Sequence, residues 1–124
     1  MDWADWARRV EPILWDGGSS GPFRALFAPG AVYADPVNQP TEDLEGIEAM
    51  TRGAYPDWCQ EITSIHGDEG GCAFEWVGRG NLAGPAPMEI HGCTVIELDA
   101  NGLITRWRDY FDVGEIERHL SGTL

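Results

Sequence analysis

Residues 101–112, NGLITRWRDYFD, constrain the fold more than any other part of this chain. Asn101-Gly102 signals a tight hairpin, because both residue types tolerate the positive φ that such a turn requires. A long apolar-rich run, residues 88–98, precedes it, and an aromatic and β-branched run, residues 103–111, follows. Two antiparallel strands joined through 99–102 are therefore expected. The second run contains a carboxylate, Asp109. Counting back by twos puts Trp107, Thr105 and Leu103 on its face of the strand and sends Arg106 and Arg108 to the other. If the Asp109 face is buried, desolvation raises the acid's pKa toward the range in which it both gives and takes protons. The alternative is an acid paired with Arg106 or Arg108, or exposed at the strand end.

The remaining sequence supplies helices first and strands later. Trp3, Trp6, Ala7, Val10 and Leu14 recur at helical spacing, and Pro12 should kink or end that helix. A loop is read at 17–21, a short helix at 23–27, a strand at 31–35 that stops at Pro36, and a helix at about 46–53 with Ile47 and Met50 facing inward. Strands follow at 58–66 and 72–80, with a turn at Gly70-Gly71, then a Gly- and Pro-rich loop at 82–87. A closing helix is read at 113–120. This order belongs to an α+β domain in which a curved antiparallel or mixed sheet wraps around helices, forming a cone whose mouth is an apolar pocket. The length, 124 residues, fits one domain over 1–124.

Charge narrows the partners. A formal net charge of -13 repels nucleic acid and anionic membranes, both of which are bound through Lys and Arg, so neither is expected as a partner. The first residues lack the basic start and apolar run of a secretory signal, and a cytoplasmic protein is expected. Cys59, Cys72 and Cys93 are odd in number and form no CxxC pair, which points to reduced core residues rather than a disulfide framework or zinc site. The histidines are not spaced for shared ligation, so no metal is expected.

Three segments resemble known proteins. LFAPGAVYADPVNQP, residues 26–40, resembles the helix-strand segment of ketosteroid isomerases, and GLITRWRDYFD resembles the end of limonene epoxide hydrolases. FEWVGRGNLAG, residues 74–84, is similar to SnoaL-like domains in general. All belong to the SnoaL-like, nuclear transport factor two superfamily. The resemblance implies a cone-shaped, cystatin-like α+β fold, frequent homodimerisation, a deep apolar pocket, and acid-base chemistry on small hydrophobic molecules without a cofactor.

Residue by residue, the resemblance puts Asp35 where ketosteroid isomerases keep their proton-moving aspartate. Their helix tyrosine has no counterpart, since that region reads Arg9, Val10, Glu11, and their second aspartate aligns near Thr94. Loss of one oxyanion donor costs about 3 kcal/mol, which leaves ketosteroid-isomerase-like proton transfer as an alternative only. Asp109 matches the aspartate of the hydrolases' WRDYFD, and Tyr33 matches a tyrosine that helps hold the attacking water. The hydrolases' Arg and second Asp fall at Trp76 and Gly78, so Asp35 would have to replace the missing acid. Glu75 and Arg79 lie on the other strand face by parity.

The candidate catalytic residues are thus Asp109 and Asp35, with Tyr33, Trp76, His91 and Trp107 as candidate substrate-binding residues. Each has a plainer reading. Asp before Pro is a common way to close a strand, Tyr33 could be packing, and His91 could be a satisfied core histidine instead of a proton carrier. Trp76 and Trp107 are placed as an aromatic wall for a flat apolar ligand, such as a polyketide or terpenoid. The expected function is epoxide opening or polyketide-type cyclisation, with non-catalytic binding of a small molecule as the rival.

Overall fold

A computed structural model describes residues 1–15, 21–80 and 88–120. The first helix, α1 (Trp3–Val10), starts where the Asp2 side chain accepts the Asp5 backbone N–H at 3.0 Å. Trp3, Trp6 and Val10 form its buried stripe, and Asp5 pairs with Arg8 and Arg9 on the exposed side. Pro12 ends it in a short 3-10 turn, Glu11–Ile13. A second 3-10 turn, Arg24–Leu26, occupies part of the 23–27 segment expected as a helix and leads directly into β1 (Phe27–Ala34).

Helix α2 (Leu44–Ala54) is capped by Asp43, whose carboxylate accepts the Gly46 N–H at 3.0 Å. It is longer than the sequence suggested. Ile47 faces inward as expected, but Met50 is 48% exposed, a correction. Strands β2 (Cys59–Asp68), β3 (Gly71–Gly80), β4 (Met88–Leu98) and β5 (Ile104–Phe111) follow, and α3 (Val113–Leu120) closes the chain. The expected loops at 17–21 and 82–87 fall largely or wholly outside the described residues.

The sheet is mixed, in the order β1-β5-β4-β3-β2. Successive strands from β2 to β5 pair antiparallel, whereas β1 pairs parallel with β5, so the beginning and end of the strand series lie side by side. With its helices this makes an α+β fold of the cone type.

Two bulges set which residues face inward. On β2, Ile62 pairs with Trp76 and Ser64 with Glu75, leaving Thr63 as the extra residue. The Ile62 N–H is taken up by the Glu11 carboxylate at 2.7 Å. On β5, Leu98 pairs with Ile104 but Glu97 with Arg106, so Thr105 is extra. Ile104, not Thr105 or Leu103, therefore shares the buried face with Trp107 and Asp109.

All six tryptophans are buried. Trp107 is enclosed by Trp15, Phe23, Phe27 and Phe74, mostly in edge-to-face contacts. Trp15 has a φ of 50°, and Arg52 donates to its carbonyl at 2.6 Å and to that of Trp58 at 3.1 Å. Glycines make room for the other indoles: a Cβ at Gly78 would overlap Trp58, and one at Gly92 would overlap Trp76. Of the cysteines only Cys72 is buried; Cys59 is exposed, against the expectation of three core residues.

Candidate active site

A cavity of about 240 Å³ opens on the inner face of the sheet. Trp15, Tyr55, Trp58, Trp76 and Phe111 give it aromatic walls, and Ile90 and Ile116 add aliphatic ones. Tyr33, Asp35 and Asp109 form one polar end. No lining residue carries a positive charge, among the residues described.

Asp109 is 7% exposed and fully engaged. Its Oδ1 accepts from the Thr94 hydroxyl at 2.6 Å and from the Trp107 indole N–H at 2.9 Å. The Trp76 indole N–H in turn donates to Thr94 Oγ1 at 2.8 Å. An indole nitrogen only donates, so Thr94 must accept from Trp76 and spend its one proton on Asp109. Both lone-pair directions of Oδ1 are thereby filled, and any proton carried by Asp109 resides on Oδ2.

Oδ2 lies 3.0 Å from the Tyr33 hydroxyl, which lies 2.6 Å from Asp35 Oδ2. The phenol has one proton for two carboxyl groups. When it donates to the closer Asp35, it offers its oxygen to Asp109, and a protonated Asp109 completes the chain by donating to Tyr33. The parallel pairing of β1 with β5, with Tyr33 opposite Trp107, makes this contact between residues 76 apart in sequence.

Burial pushes the Asp109 carboxyl up from an ordinary 3.8 to about 6, and the negative charge of Asp35 adds to the shift. The hydrogen bonds from Thr94, Trp107 and Tyr33 pull the other way and keep the rise moderate. Burial also raises the Tyr33 hydroxyl far above the usual phenol range, helped by the charge of Asp109 and the bond to Asp35. Tyr33 is therefore a neutral bridge.

Asp35 is only partly buried, and it also fulfils its plainer role. Oδ1 accepts the backbone N–H groups of Val37 and Asn38 at 2.8 and 2.7 Å, shaping the turn at Pro36, and Asn38 Nδ2 donates to Oδ2 at 2.9 Å.

The remaining candidates divide. Trp76 lines the cavity. Trp107 does not; it lies wholly buried beneath Asp109, as a donor to the acid rather than a wall for a ligand. His91 is also corrected, because strand alternation turns Ile90 inward and His91 outward. Its ring is 64% exposed, 3.4 Å from Glu115 and 3.7 Å from Glu89, so it is neither a pocket residue nor a core residue. Glu75 and Arg79 lie on the outer face as expected. Sequence reasoning missed Thr94 as a partner of the acid, and Asn38 and Gln60 as polar site residues. It also missed the walls Tyr55, Trp58, Ile90 and Phe111.

Among the described residues no cluster of three His, Cys, Asp or Glu side chains is placed to hold a metal ion, and no helix is long and apolar enough to cross a membrane.

No curated protein matches the chain. Solved structures do. Wild-type IdmH from Streptomyces antibioticus, a candidate polyketide cyclase, superposes with a TM-score of 0.77 at 19% identity, covering 98% of this chain and 99% of that one. A hypothetical protein with a ketosteroid isomerase-like fold from Catenulispora acidiphila, solved with trimethylamine, gives 0.78 at 21% identity, covering 95% and 93%. An LEH-like epoxide hydrolase from M. tuberculosis gives 0.68 at 21% identity, covering 95% and 85%. Identities this low speak for the fold alone. The sequence profile of the SnoaL-like domain matches residues 7–107, most of the chain, and the protein belongs to the SnoaL-like family.

Proposed function

We propose that the protein is a cofactor-free acid-base enzyme acting on a small, hydrophobic, uncharged molecule, with Asp109 as the group that moves the proton. The observation carrying this reading is the state of Asp109: it lines the cavity yet is buried against indoles, with Oδ1 filled by Thr94 and Trp107 and Oδ2 bonded to Tyr33. An acid with a pKa of about 6 is effective in both directions near neutral pH. Asp35 holds the Tyr33 hydroxyl and links the buried acid to the cavity mouth.

Cyclisation suits this arrangement better than epoxide hydrolysis. In a cyclisation Oδ2 takes a proton from the carbon beside a carbonyl, and the resulting enolate carbon attacks a second carbonyl of the same molecule. A C–C bond forms, the carbonyl π bond breaks, and the new alkoxide takes the proton back from Asp109. One acid then suffices. Hydrolysis needs a second acid at the epoxide oxygen, and the positions matching the hydrolases' Arg and Asp hold Trp76 and Gly78. The Trp58 indole occupies the space a side chain at 78 would need. Epoxide opening remains the second reading, with Asp35 acting through Tyr33.

The test is Asp109→Asn on a panel of poly-β-keto compounds and epoxides. Turnover should fall by about 10²- to 10⁴-fold with the fold intact. Activity surviving within a few-fold would remove Asp109 as the group that moves the proton, whereas binding without turnover by the unaltered protein would leave a carrier of small molecules as the reading. The same proposal takes the chain as half of a homodimer, which sedimentation would check.

A further inference from the structure

The end of the cavity remote from the acids holds a second polar group, Gln60. It is 9% exposed, sits on β2 and lines the cavity beside Trp58. The Trp58 indole N–H lies 3.0 Å from one end of its amide. Because an indole nitrogen cannot accept, that end must be Oε1, and Nε2 with its two protons is the other end. Among the described residues nothing accepts from Nε2. The residue is buried as a whole, yet this unpartnered donor is not itself sealed off; Gln60 lines the aromatic cavity and can offer Nε2 to whatever fills it.

Register separates this group from the acids. Gln60 pairs with Gly78, and Gly78 with Ile90, whereas Asp109 pairs with Thr94. The two polar ends are thus four residues apart along β4. They are also three strands apart in the order β5-β4-β3-β2, about 14 Å along the sheet at the usual spacing. Between them the lining is aromatic and aliphatic.

We infer that Gln60 is a specificity-determining residue whose Nε2 receives a carbonyl oxygen at the end of the ligand remote from Asp109. A carbonyl brings lone pairs and no proton, which matches a site whose free valence is a donor. An anionic group is disfavoured, because no lining residue is cationic and two carboxyl groups share the cavity. The ligand class is a neutral, flat, ring-containing ketone or quinone. The inference rests on reading this cavity as the substrate site, but not on proton transfer by Asp109.

The probes are 1-tetralone and tetralin, one bicyclic skeleton with and without the ketone, titrated against the tryptophan fluorescence of the full chain. Tetralone should bind saturably and about three- to tenfold more tightly than tetralin, the worth of one neutral hydrogen bond. Gln60→Met should erase that preference and leave tetralin binding unchanged. The chain has two glutamines, Gln39 and Gln60, so side-chain amide NMR of the unaltered protein gives an independent readout: tetralone should shift the Gln60 amide and not that of Gln39. Equal affinities, no saturable binding of tetralone, or a preference that survives in Gln60→Met overturns the inference. Asp109→Asn separates the two proposals, because it should retain the tetralone preference even where turnover is lost.

Discussion

The inner and outer faces of strands β4 and β5 carry carboxylates that behave as different chemical groups. On the outer face Glu97 meets Arg108 at 2.7 Å and Arg106 at 3.6 Å, with its side chain 47% exposed. On the inner face Asp109 meets no cation, only a threonine, an indole and a phenol. The outer acid is a solvated partner in an ion pair, worth less than about 1 kcal/mol. The inner acid is held by neutral donors, which orient it and temper its pKa without fixing its charge. Arg108 and Asp109, neighbours on β5, thus belong to a surface ion pair and to a buried, cation-free hydrogen-bond cluster respectively.

The largest effect expected is on turnover, through the Asp109→Asn change described above, and the outer counterpart Glu97→Gln should leave activity within twofold. Next comes stability against pH. The folded protein raises Asp109 from 3.8 to about 6, so the folded state holds a proton that the unfolded state has released in between. The stability this contributes is complete below pH 3.8 and lost as pH rises through about 6, a fall of about 3 kcal/mol. Denaturant melts of wild type and Asp109→Asn between pH 4 and 8 should differ by that slope. Identical slopes would mean that Asp109 is not poised as described.

Thr94→Val should cost about 1 to 3 kcal/mol, because it strands the buried Trp76 N–H, and it should move the Asp109 titration upward by removing a donor to the ionised form. Carboxyl ¹³C NMR reads the titration, and a downward move would contradict the assigned direction of that bond. Tyr33→Phe should uncouple the Asp109 titration from that of Asp35. The smallest effect belongs to His91→Ala, for which unchanged kcat/KM is expected; a tenfold loss would return His91 to the site.

Much of this was legible in the sequence where one period dominates. β4 and α3 lie where alternation and helical spacing put them, and parity and motif singled out Asp109, Tyr33 and Trp76, all of which line the cavity. The site's finer wiring was hidden by Thr105. Counting from Leu98 opposite Ile104 without a bulge pairs Asp109 with Cys93; the extra residue moves the partner to Thr94. No residue type announces a bulge inside ITRWRDYF. Gln60 was legible in principle, sharing parity with Trp58, but a lone glutamine in a strand carries no chemical signature until its neighbour fixes its amide. His91 illustrates the converse, since a histidine attracts a functional reading that simple alternation from Ile90 already denied.

The parallel pairing of β1 with β5 also has a temporal consequence. Tyr33 is synthesised long before Asp109, and their strands close the longest-range pairing in the sheet. Such closure is entropically slow. During synthesis β2, β3 and β4 emerge before β5, and the acid and its phenolic neighbour can meet only once β5 has emerged. The Tyr33–Asp109 contact therefore waits on the last of the five strands, whatever has paired before it.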